Sequence, residues 1–359
     1  MIKQIKNSYC CVGLMSGTSL DGLDMVLCQL EKRDNKWVFD IKRSETIDYS
    51  AEWRERLKGS PNLSGKELML LHRNYGKWLG SAVHDFLKDE STPPDLIASH
   101  GHTVFHEPQN QFNFQLGDGN MIAAITGVST VSDFRSLDVC LNGQGAPLVP
   151  IGDQLLFSEY EACVNIGGFV NVSCDIDGVR RAWDICPANF VINRLVGKMG
   201  LSMDENGAIG LQGKIIQVLL QELNELPYYQ QTAPKSLAQE WVDNSFWPIV
   251  NKYDSHDLPD VIRTCYEHFA RVISNDLNRY TSKGTLLFTG GGVFNLFLMD
   301  LIKQHCKTQV IIPEKQLVNY KEALIFALLG VLRYRGEVNC LKTVTGATHD
   351  ACSGVVILR

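Results

Sequence analysis

Residues 12–24 constrain the fold of this chain more than any other stretch of its sequence. An apolar run at 9–15 ends in Ser16-Gly17-Thr18-Ser19, and a second apolar run follows at 25–30. Two apolar runs joined by a few small polar residues are typical of a β-hairpin. We therefore predict a hairpin whose tip presents mainly backbone amides and short hydroxyl groups.

Such a tip can surround phosphate oxygens, because no bulky side chain keeps the anion at a distance. The carboxylates that follow the tip suit Mg²⁺, which prefers carboxylate, water and phosphate oxygens, so we predict Asp21 and Asp24 as metal residues acting through water. The alternative is an ordinary hairpin with a polar turn, since Gly, Ser and Asp are common turn residues. The residues of this hairpin that we predict to bind phosphate are Gly17, Thr18, Ser19, Leu20, Asp21, Gly22, Leu23 and Asp24.

Length and composition narrow the class of protein. A chain of 359 residues is too long for one core and suggests two domains. A net charge of -6 without a dense Lys/Arg run argues against a nucleic-acid partner. No apolar stretch approaches the ~20 residues that a membrane span needs. The 11 cysteines are scattered without a CxxC pair, which fits a reducing cytoplasm and gives no zinc site.

Further along the chain, strands alternate with helices, and glycine turns follow three of the strands. A strand at 95–99 leads into His100-Gly101-His102, and polar turns after strands are where α/β proteins place ligands. The opening pattern recurs at 162–175, where Gly167 and Gly168 separate two apolar runs. A strand at 285–288 runs into Gly290-Gly291-Gly292 before a helix, a turn that lets a flat ring or a phosphate approach the backbone. We predict these two glycine turns as further contacts to a polyphosphate or nucleotide.

An irregular segment at 132–150, rich in Gly, Asn and Gln, is predicted to be a binding loop near the domain boundary. The predicted N-terminal domain comprises residues 1–132 and 338–359 and carries the first phosphate hairpin. The predicted C-terminal domain comprises residues 133–337 and carries Asp184 together with the two glycine turns.

Seven motifs occur together and in order along the whole chain. They are Gly-Leu-Met-Ser-Gly-Thr-Ser-Leu-Asp-Gly-Leu-Asp at 13–24, Ser-His-Gly-His-Thr at 99–103, Gln-Leu-Gly-Asp at 115–118, Asp-Phe-Arg at 133–135, Gly-Gln-Gly-Ala-Pro-Leu-Val-Pro at 143–150, Asn-Ile-Gly-Gly at 165–168 and Thr-Gly-Gly-Gly at 289–292. In these motifs the chain resembles the anhydro-N-acetylmuramic acid kinases of bacterial cell-wall recycling. The first and fifth motifs are the most specific.

The resemblance implies the two-domain α/β fold shared by sugar kinases, Hsp70 and actin, a duplicated ribonuclease H-like fold with an interdomain ATP cleft. It also implies a phosphotransferase reaction with an alcohol group as acceptor. ATP phosphorylates O6 of 1,6-anhydro-N-acetylmuramic acid while water opens the anhydro ring, giving N-acetylmuramic acid 6-phosphate and ADP. The implied cofactors are ATP and Mg²⁺, and the implied partners are small molecules, with no nucleic acid and no membrane. A homodimer is left open.

Asp184 is the predicted catalytic residue. Opening the anhydro bridge needs a base that activates water, and a carboxylate beside a helix start suits that role. The resemblance implies the same assignment, because the family carries its catalytic aspartate at this motif. The alternative from the sequence is that Asp184 caps the N-terminus of the helix that we predict to follow it.

The predicted substrate-binding residues are Ser99, His102, Arg135, Asn189 and Glu322. We assign Arg135 to the lactyl carboxylate of the sugar, which a guanidinium can bind through two hydrogen bonds. Its alternative is a salt bridge to Asp133 or Asp138. The alternative for Glu322 is a solvated helix face.

The chain departs from the family pattern at two places. Where the family commonly has Asp-Thr-Gly-Pro-Gly-Asn, this chain has Asp184-Ile185-Cys186-Pro187-Ala188-Asn189, and His102 replaces the usual Gln. A missing hydroxyl removes a hydrogen bond worth ~1 kcal/mol net. Two other functions therefore stay open at this point: a kinase of the same fold for a different amino sugar, and an ATP-binding regulatory protein with weakened or lost catalysis.

Overall fold

Two β-sheets, one in each of two units, organise the chain. The structure is a computed structural model and describes residues 6–17, 20–34 and 36–359. The first unit comprises Met1–Leu156 and Tyr320–Arg359, and the second comprises Phe157–Asn319. Among the described residues, no helix is both long enough and apolar enough to cross a membrane.

The first unit contains a six-stranded sheet in the order β13-β7-β4-β1-β2-β3, and β5 pairs with β6 beside it. Its strands are β1 (Ser8–Ser16), β2 (Gly22–Arg33), β3 (Lys36–Asp48), β4 (Leu96–Ser99), β5 (His102–Glu107), β6 (Phe112–Leu116), β7 (Thr130–Ser132) and β13 (Val355–Ile357). Its helices are α1 (Ala51–Gly59), α2 (Gly65–Phe86), α3 (Gly119–Thr126), α4 (Ser136–Cys140), α5 (Val149–Leu156), most of α13 (Lys315–Arg335) and α14 (Lys342–Thr345). Strands β1 to β3 are antiparallel, whereas β4 and β7 run parallel to β1.

Helix α2 shows how the sequence specifies these elements. It begins after Ser64, whose hydroxyl accepts from the Glu67 amide while the Glu67 carboxylate accepts from the Ser64 amide, so the capping box is present. The buried residues Tyr75, Leu79 and Val83 lie at four-residue spacing along it, and all belong to the core of the first unit.

Helix α13 is the central helix of the first unit. Every residue from Ala323 to Leu329 is at most 1% exposed, so the helix is covered on all sides over this stretch. Strand β1 approaches it closely at Gly13, where an added Cβ would lie only 1.9 Å from the Ala323 carbonyl oxygen. A side chain at position 13 is therefore incompatible with this packing.

The second unit contains a five-stranded sheet in the order β10-β9-β8-β11-β12. Its strands are β8 (Ala162–Ile166), β9 (Phe169–Ile176), β10 (Val179–Pro187), β11 (Thr285–Thr289) and β12 (Gln309–Ile311). Its helices are α6 (Asn189–Gly197), α7 (Ala208–Gln212), α8 (Gln217–Asn224), α9 (Gln239–Trp241), α10 (Trp247–Val250), α11 (Leu258–Tyr280) and α12 (Leu296–His305).

The two sheets share one topology. Read from its antiparallel edge, the first sheet runs β3-β2-β1-β4-β7 and the second runs β10-β9-β8-β11-β12. In each, three consecutive antiparallel strands are followed by two strands parallel to the first of them. The predicted α/β fold class, a duplicated ribonuclease H-like sheet, is confirmed.

The unit boundaries differ from those that the sequence suggested. Residues 133–156 and 320–337, which we assigned to the C-terminal domain, lie in the first unit. Long-range contacts hold the irregular segment there: the Phe134 ring lies 5.6 Å from that of Phe326, and Thr345 Oγ1 donates to Asp138. A local pattern of Gly, Asn and Gln does not reveal such contacts.

Candidate active site

The first predicted phosphate hairpin is present in the first unit. Strands β1 and β2 pair in register from Ser8 opposite Glu31 to Ser16 opposite Leu23. Two of its predicted ATP contacts, Thr18 and Ser19, lie outside the described residues. The chain re-enters the described part at Leu20, whose φ of 58° lies in the left-handed region.

The two predicted metal residues of the hairpin differ in their surroundings. Asp21 is exposed, whereas Asp24 is half-buried and accepts a 2.6 Å hydrogen bond from Thr46. Burial raises the pKa of Asp24, Thr46 opposes this, and the charge of Asp21 adds to it. The two carboxylates are therefore close enough to interact electrostatically. In the described part of the chain, no group of three or more His, Cys, Asp or Glu side chains could hold a metal ion.

His100 lies directly after β4 and links the motif Ser99–Thr103 to Arg135. Its Nδ1 is 2.8 Å from the Gly101 carbonyl oxygen, and its Nε2 is 2.7 Å from Arg135 Nη2. Only a neutral ring with its proton on Nδ1 satisfies both contacts, because Nε2 must accept from the guanidinium. Burial, helped by the Arg135 charge, lowers the pKa of His100 to about 3. The ring is thus a fixed neutral acceptor.

His102, the residue that replaces the usual Gln of the family, is buried beside the hairpin. Burial lowers its pKa, and a hydrogen bond to the backbone of Gly17 opposes that shift. Its Nδ1 has no hydrogen-bond partner among the described residues. His102 therefore contacts the tip of the predicted phosphate hairpin at Gly17.

Arg135 is half-buried and holds its position through two partners. Its Nη1 donates to the Gly145 carbonyl at 2.6 Å, and its Nε and Nη2 both donate to His100. Burial lowers its pKa to about 10, with Glu322 opposing, so the guanidinium stays charged at neutral pH.

The salt bridge that we considered for Arg135 is wrong. Among the described residues, the nearby carboxylates have other donors. Asp133 accepts from the Ser136 hydroxyl at 2.6 Å, and Asp138 accepts from the Gly145 amide and from Thr345. The guanidinium has more N–H groups than its contacts use, so it can still bind an anion.

Glu322 is half-buried near the N-terminal part of α13, so the alternative of a solvated helix face is wrong. Burial raises its pKa, the charges of Lys321 and Arg135 oppose this, and Asp24 adds to it. The structure thus brings Glu322, Arg135 and Asp24 within electrostatic range of one another in the first unit.

Ser99 ends β4 beside a polar cavity. Its hydroxyl is buried and has no hydrogen-bond partner among the described residues. The cavity has a volume of about 220 Å³, and its lining includes Ser99, His100, Gln115 and Asp118. A buried hydroxyl without a partner costs free energy, so a polar ligand or water at this position would stabilise it.

Asp184 lies inside β10, and our prediction that it starts a helix is wrong. Helix α6 begins five residues later at Asn189, and its N-cap residue, Ala188, makes no side-chain capping bond. The capping alternative for Asp184 is therefore wrong as well. The residues that follow Asp184 continue as a strand, because Cys186 and Pro187 pair with β9 after a bulge.

Three residues distant in sequence hold Asp184 in place. Its Oδ2 accepts from the Leu237 amide at 2.9 Å, and its carbonyl oxygen accepts from the Tyr228 hydroxyl at 2.6 Å. Its own amide donates to the Lys235 carbonyl at 3.0 Å. Burial raises the pKa of Asp184, and the Leu237 amide opposes that shift. Nothing in the sequence pattern marked Tyr228, Lys235 or Leu237, since none of them belongs to a motif.

The residues that depart from the family motif lie in the core of the second unit. Ile185, Cys186 and Ala188 are 1%, 0% and 1% exposed and all belong to its main hydrophobic cluster. Apolar side chains in a core are the simple explanation for losing a hydroxyl and two glycines there. The idea that this loop changes the sugar required these side chains to line the sugar site. Of the three, Ile185 lines a cavity of about 210 Å³ beside Lys235 and Asp276, whereas Cys186 and Ala188 do not.

The predicted glycine turns of the second unit lie side by side at one end of its sheet. At Gly167 and Gly168 an added Cβ would be in ordinary van der Waals contact, with its nearest atoms 3.6 and 3.7 Å away. The backbone amide of Asn189, a predicted substrate residue, donates to the Gly167 carbonyl oxygen. Gly290 has φ 84°, and a Cβ there would lie 2.6 Å from the Ile166 carbonyl oxygen.

Within the Gly290-Gly291-Gly292 turn, the three glycines meet different surroundings. A Cβ at Gly292 would lie 2.1 Å from the side chain of Ile166, whereas a Cβ at Gly291 would meet nothing within 4 Å. The outer glycines are thus required by packing against β8, while the middle one faces open space where a ligand could approach the backbone.

Two sheets of matching topology, each with a hairpin or glycine turn at its strand ends, define a protein of the sugar kinase, Hsp70 and actin class. Residues 9–359 match the sequence profile described as "Anhydro-N-acetylmuramic acid kinase". The chain belongs to the anhydro-N-acetylmuramic acid kinase family.

Individual relatives agree with this assignment. The anhydro-N-acetylmuramic acid kinase of Saccharophagus degradans is 32% identical over 96% of this chain and 97% of its own length. That of Photobacterium profundum is 34% identical, over 96% of this chain and 97% of its own length.

Among solved structures, component A of the (R)-2-hydroxyglutaryl-CoA dehydratase of Acidaminococcus fermentans matches with a TM-score of 0.46 at 13% identity, covering 91% of this chain and 99% of its own.

Proposed function

We propose that this protein is an ATP-dependent kinase of 1,6-anhydro-N-acetylmuramic acid. The reaction phosphorylates O6 and opens the anhydro ring with water, and it yields N-acetylmuramic acid 6-phosphate and ADP. The observation that carries this proposal is Asp184: a half-buried carboxylate of raised pKa, oriented by a backbone amide, in a chain that matches the kinase family from end to end.

Asp184 acts as the general base in this proposal. It removes a proton from water as the water oxygen bonds to the anomeric carbon, and the bond from that carbon to O6 breaks. The released O6 attacks the γ-phosphorus of ATP, whose bond to the β-phosphate oxygen breaks to give ADP. The raised pKa makes the carboxylate a stronger base than an exposed aspartate.

The phosphates of ATP are proposed to contact the first hairpin at Gly17–Asp24 and the glycine turns at Gly167, Gly168 and Gly290–Gly292. The space beside Gly291 supports this, since an added Cβ there would meet no atom within 4 Å. Asp21 and Asp24 are the residues that would hold Mg²⁺ through water, and their interacting carboxylates suit a hard cation. The ion, when bound, neutralises charge on the phosphates.

The sugar is proposed to contact Ser99, His102, Arg135, Asn189 and Glu322. Arg135 stays charged, is anchored by His100 and Gly145, and retains N–H groups for the lactyl carboxylate. The unpartnered Ser99 hydroxyl and His102 Nδ1 are polar atoms that a hydroxyl-bearing ligand could satisfy.

The test is ADP release, measured by a coupled assay with the anhydro sugar and a small panel of related amino sugars, with identification of the product. We expect ATP-dependent turnover of the anhydro sugar to a 6-phosphate that lacks the anhydro bridge. Turnover of a different amino sugar alone would refute the substrate, and nucleotide binding without turnover of any sugar would refute the enzymatic function.

A further inference from the structure

The segment at residues 231–238, which we call the strap, connects the turn Pro227–Gln230 to α9 without helix or strand of its own. Most of its residues are exposed. It nevertheless supplies two of the three contacts that hold Asp184, through the Lys235 carbonyl and the Leu237 amide. An exposed segment without regular structure needs an anchor if it is to hold a catalytic carboxylate in one position.

That anchor is a buried ion pair. The Lys235 side chain is only 3% exposed, and its Nζ lies 3.6 Å from Asp276 Oδ1 on α11. Asp276 is 6% exposed and also accepts a 2.5 Å hydrogen bond from Trp183 Nε1, the residue before Asp184. The same carboxylate thus fixes the strap on one side and β10 on the other.

The Lys235 cation makes a second link to the catalytic residue. Its Nζ lies 4.8 Å from the ring centroid of Tyr228, within the range of a cation–π contact. The Tyr228 hydroxyl donates to the Asp184 carbonyl oxygen at 2.6 Å. Two routes therefore run from the ammonium group to Asp184, one through the strap backbone and one through Tyr228.

A buried ion pair is weak evidence for stability, because desolvation offsets much of the attraction between the charges. Its position beside Asp184 suggests a different use. We propose that Lys235 and Asp276 are positioning residues for catalysis, which hold the strap so that the Leu237 amide orients the Asp184 carboxylate toward water. This inference rests on the proposed role of Asp184 as the base. Since Leu237 engages Oδ2, we assign Oδ1 to the water molecule.

The experiment replaces the ammonium and follows catalysis rather than stability alone. We expect Lys235→Met to lower kcat on the anhydro sugar by ~10–100-fold, the range for a small misplacement of a catalytic group, with sugar KM within a few-fold. Lys235→Arg keeps the charge and should recover part of the loss. The matched control is Lys252→Met, which breaks the exposed Lys252–Glu222 pair of the same unit and should leave kcat unchanged.

A pH profile separates positioning from a general loss of structure. The Leu237 amide lowers the pKa of Asp184, so loosening the strap should move the acid limb of kcat to higher pH. The titratable neighbours Tyr228 and Cys186 do not contribute to the acid limb of the profile, since burial raises the pKa of both. A variant that merely contains less folded protein would lower the amplitude of the profile without moving the limb.

The decisive comparison places Lys235→Met in an Asp184→Asn background. If Lys235 acts through Asp184, the double variant should be no slower than Asp184→Asn alone. If Lys235→Met lowers kcat by the same factor in the Asp184→Asn background as in the wild type, the inference is overturned. It is also overturned if Lys235→Met alone keeps wild-type kcat and an unchanged acid limb of the pH profile. If Asp184→Asn itself keeps wild-type kcat, the proposed base is wrong, which is a separate result.

Removing the Lys235 charge can prevent folding, because buried Asp276 then keeps only the longer 3.9 Å ion pair with Arg279. The second variant, Lys235→Met with Asp276→Asn, removes both charges while the amide oxygen can still accept from Trp183. It should fold and still show the loss of kcat and the moved limb. Wild-type kcat in this folded double variant would contradict the inference.

Discussion

The hairpins β1–β2 and β8–β9 occupy equivalent places in two sheets of one topology, yet their surroundings differ. The first is flanked by ionisable groups: Asp24 belongs to it, and Glu322 and Arg135 interact with that carboxylate or with each other. The second ends in Gly167 and Gly168, where an added Cβ would find its nearest atoms 3.6 and 3.7 Å away. The same strand arrangement therefore carries ionisable side chains in one unit and a glycine turn in the other.

The comparison extends to the central carboxylates of each unit. Burial raises the pKa of Glu322, and the neighbouring charges of Lys321 and Arg135 oppose that shift. No charged neighbour is among the causes that shift the pKa of Asp184. Burial raises this pKa, and the backbone amide of Leu237 opposes the shift. A carboxylate oriented by backbone alone is the better candidate for a base, since no nearby cation lowers its proton affinity.

The largest expected effect follows from this difference. Asp184→Asn should lower kcat by ~10²–10⁴-fold with little change in sugar KM, because a neutral amide cannot accept the proton of water. The amide oxygen can still accept from Leu237, so the fold and ATP binding should survive. Steady-state kinetics and thermal unfolding on the purified variant would check both statements.

The matched control for this prediction is Asp243→Asn, an exposed residue of the same unit that pairs with Arg194. It should retain wild-type kcat. Turnover within a few-fold of wild type in Asp184→Asn would exclude it as the base and make Glu322 the next residue to test.

The second prediction concerns acid stability and two buried histidines, His100 in the first unit and His268 in the second. Burial lowers the pKa of His100 and of His268 to about 3. Between that value and ~6.5, the unfolded histidines bind protons that the folded ones do not, so stability present above ~6.5 is lost as the pH falls. We expect a loss on the order of a few kcal/mol by pH 4, measured by denaturant unfolding across pH.

Single variants assign that loss to one unit or the other. His100→Gln and His268→Gln should each flatten the slope of unfolding free energy against pH between pH 4 and 7. A slope that stays unchanged in both variants would show that other groups cause the acid sensitivity. A change in only one of them would show that the two buried rings are not equivalent.

The third prediction compares two neighbouring glycines of the second unit. Gly292→Ala should cost ~1–3 kcal/mol of stability, because its Cβ would meet Ile166 in a packed core. Gly291→Ala faces open space and should leave stability almost unchanged while it weakens ATP binding. Unfolding curves and calorimetric titration with ATP measure the two quantities. Equal stability of both variants would contradict the packing argument.

The smallest effect is expected at the first hairpin. Gly17→Val places a β-branched side chain at the tip and should weaken ATP binding by ~10-fold, one lost contact of ~1.4 kcal/mol, with the fold retained. Gly59→Val serves as the control, since an added Cβ there meets nothing within 4 Å. Wild-type ATP affinity of the Gly17 variant, measured by calorimetry, would mean that this tip does not contact phosphate.

Much of the secondary structure follows from local sequence patterns. The capping box at Ser64 marks the start of α2, and the apolar runs on either side of Gly167-Gly168 correspond to β8 and β9. Such elements are predictable because their hydrogen bonds and turns involve residues close in sequence. Helix α1 and strand β5 lacked a clear pattern, and we did not predict them.

The surroundings of the site residues were not predictable in the same way. Asp184 was expected at a helix start, yet pairing with β9 extends the strand to Pro187. The alternative for Arg135 was a salt bridge to Asp133 or Asp138, yet its side chain binds His100 and Gly145. In both cases several partners were chemically reasonable, and only the packing of distant segments selected one.

The sequence by itself determined the two glycine-rich hairpins, the family and the candidate residues, because motifs and hydrophobic periodicity act over a few residues. The tertiary structure alone decided which of those residues meet. Leu237 lies 53 positions from the carboxylate that it orients, and His100 lies 35 positions from Arg135. It also decided that Ile185, Cys186 and Ala188 are core residues. Contacts of this kind depend on how whole strands and helices pack, and local sequence patterns do not predict that packing.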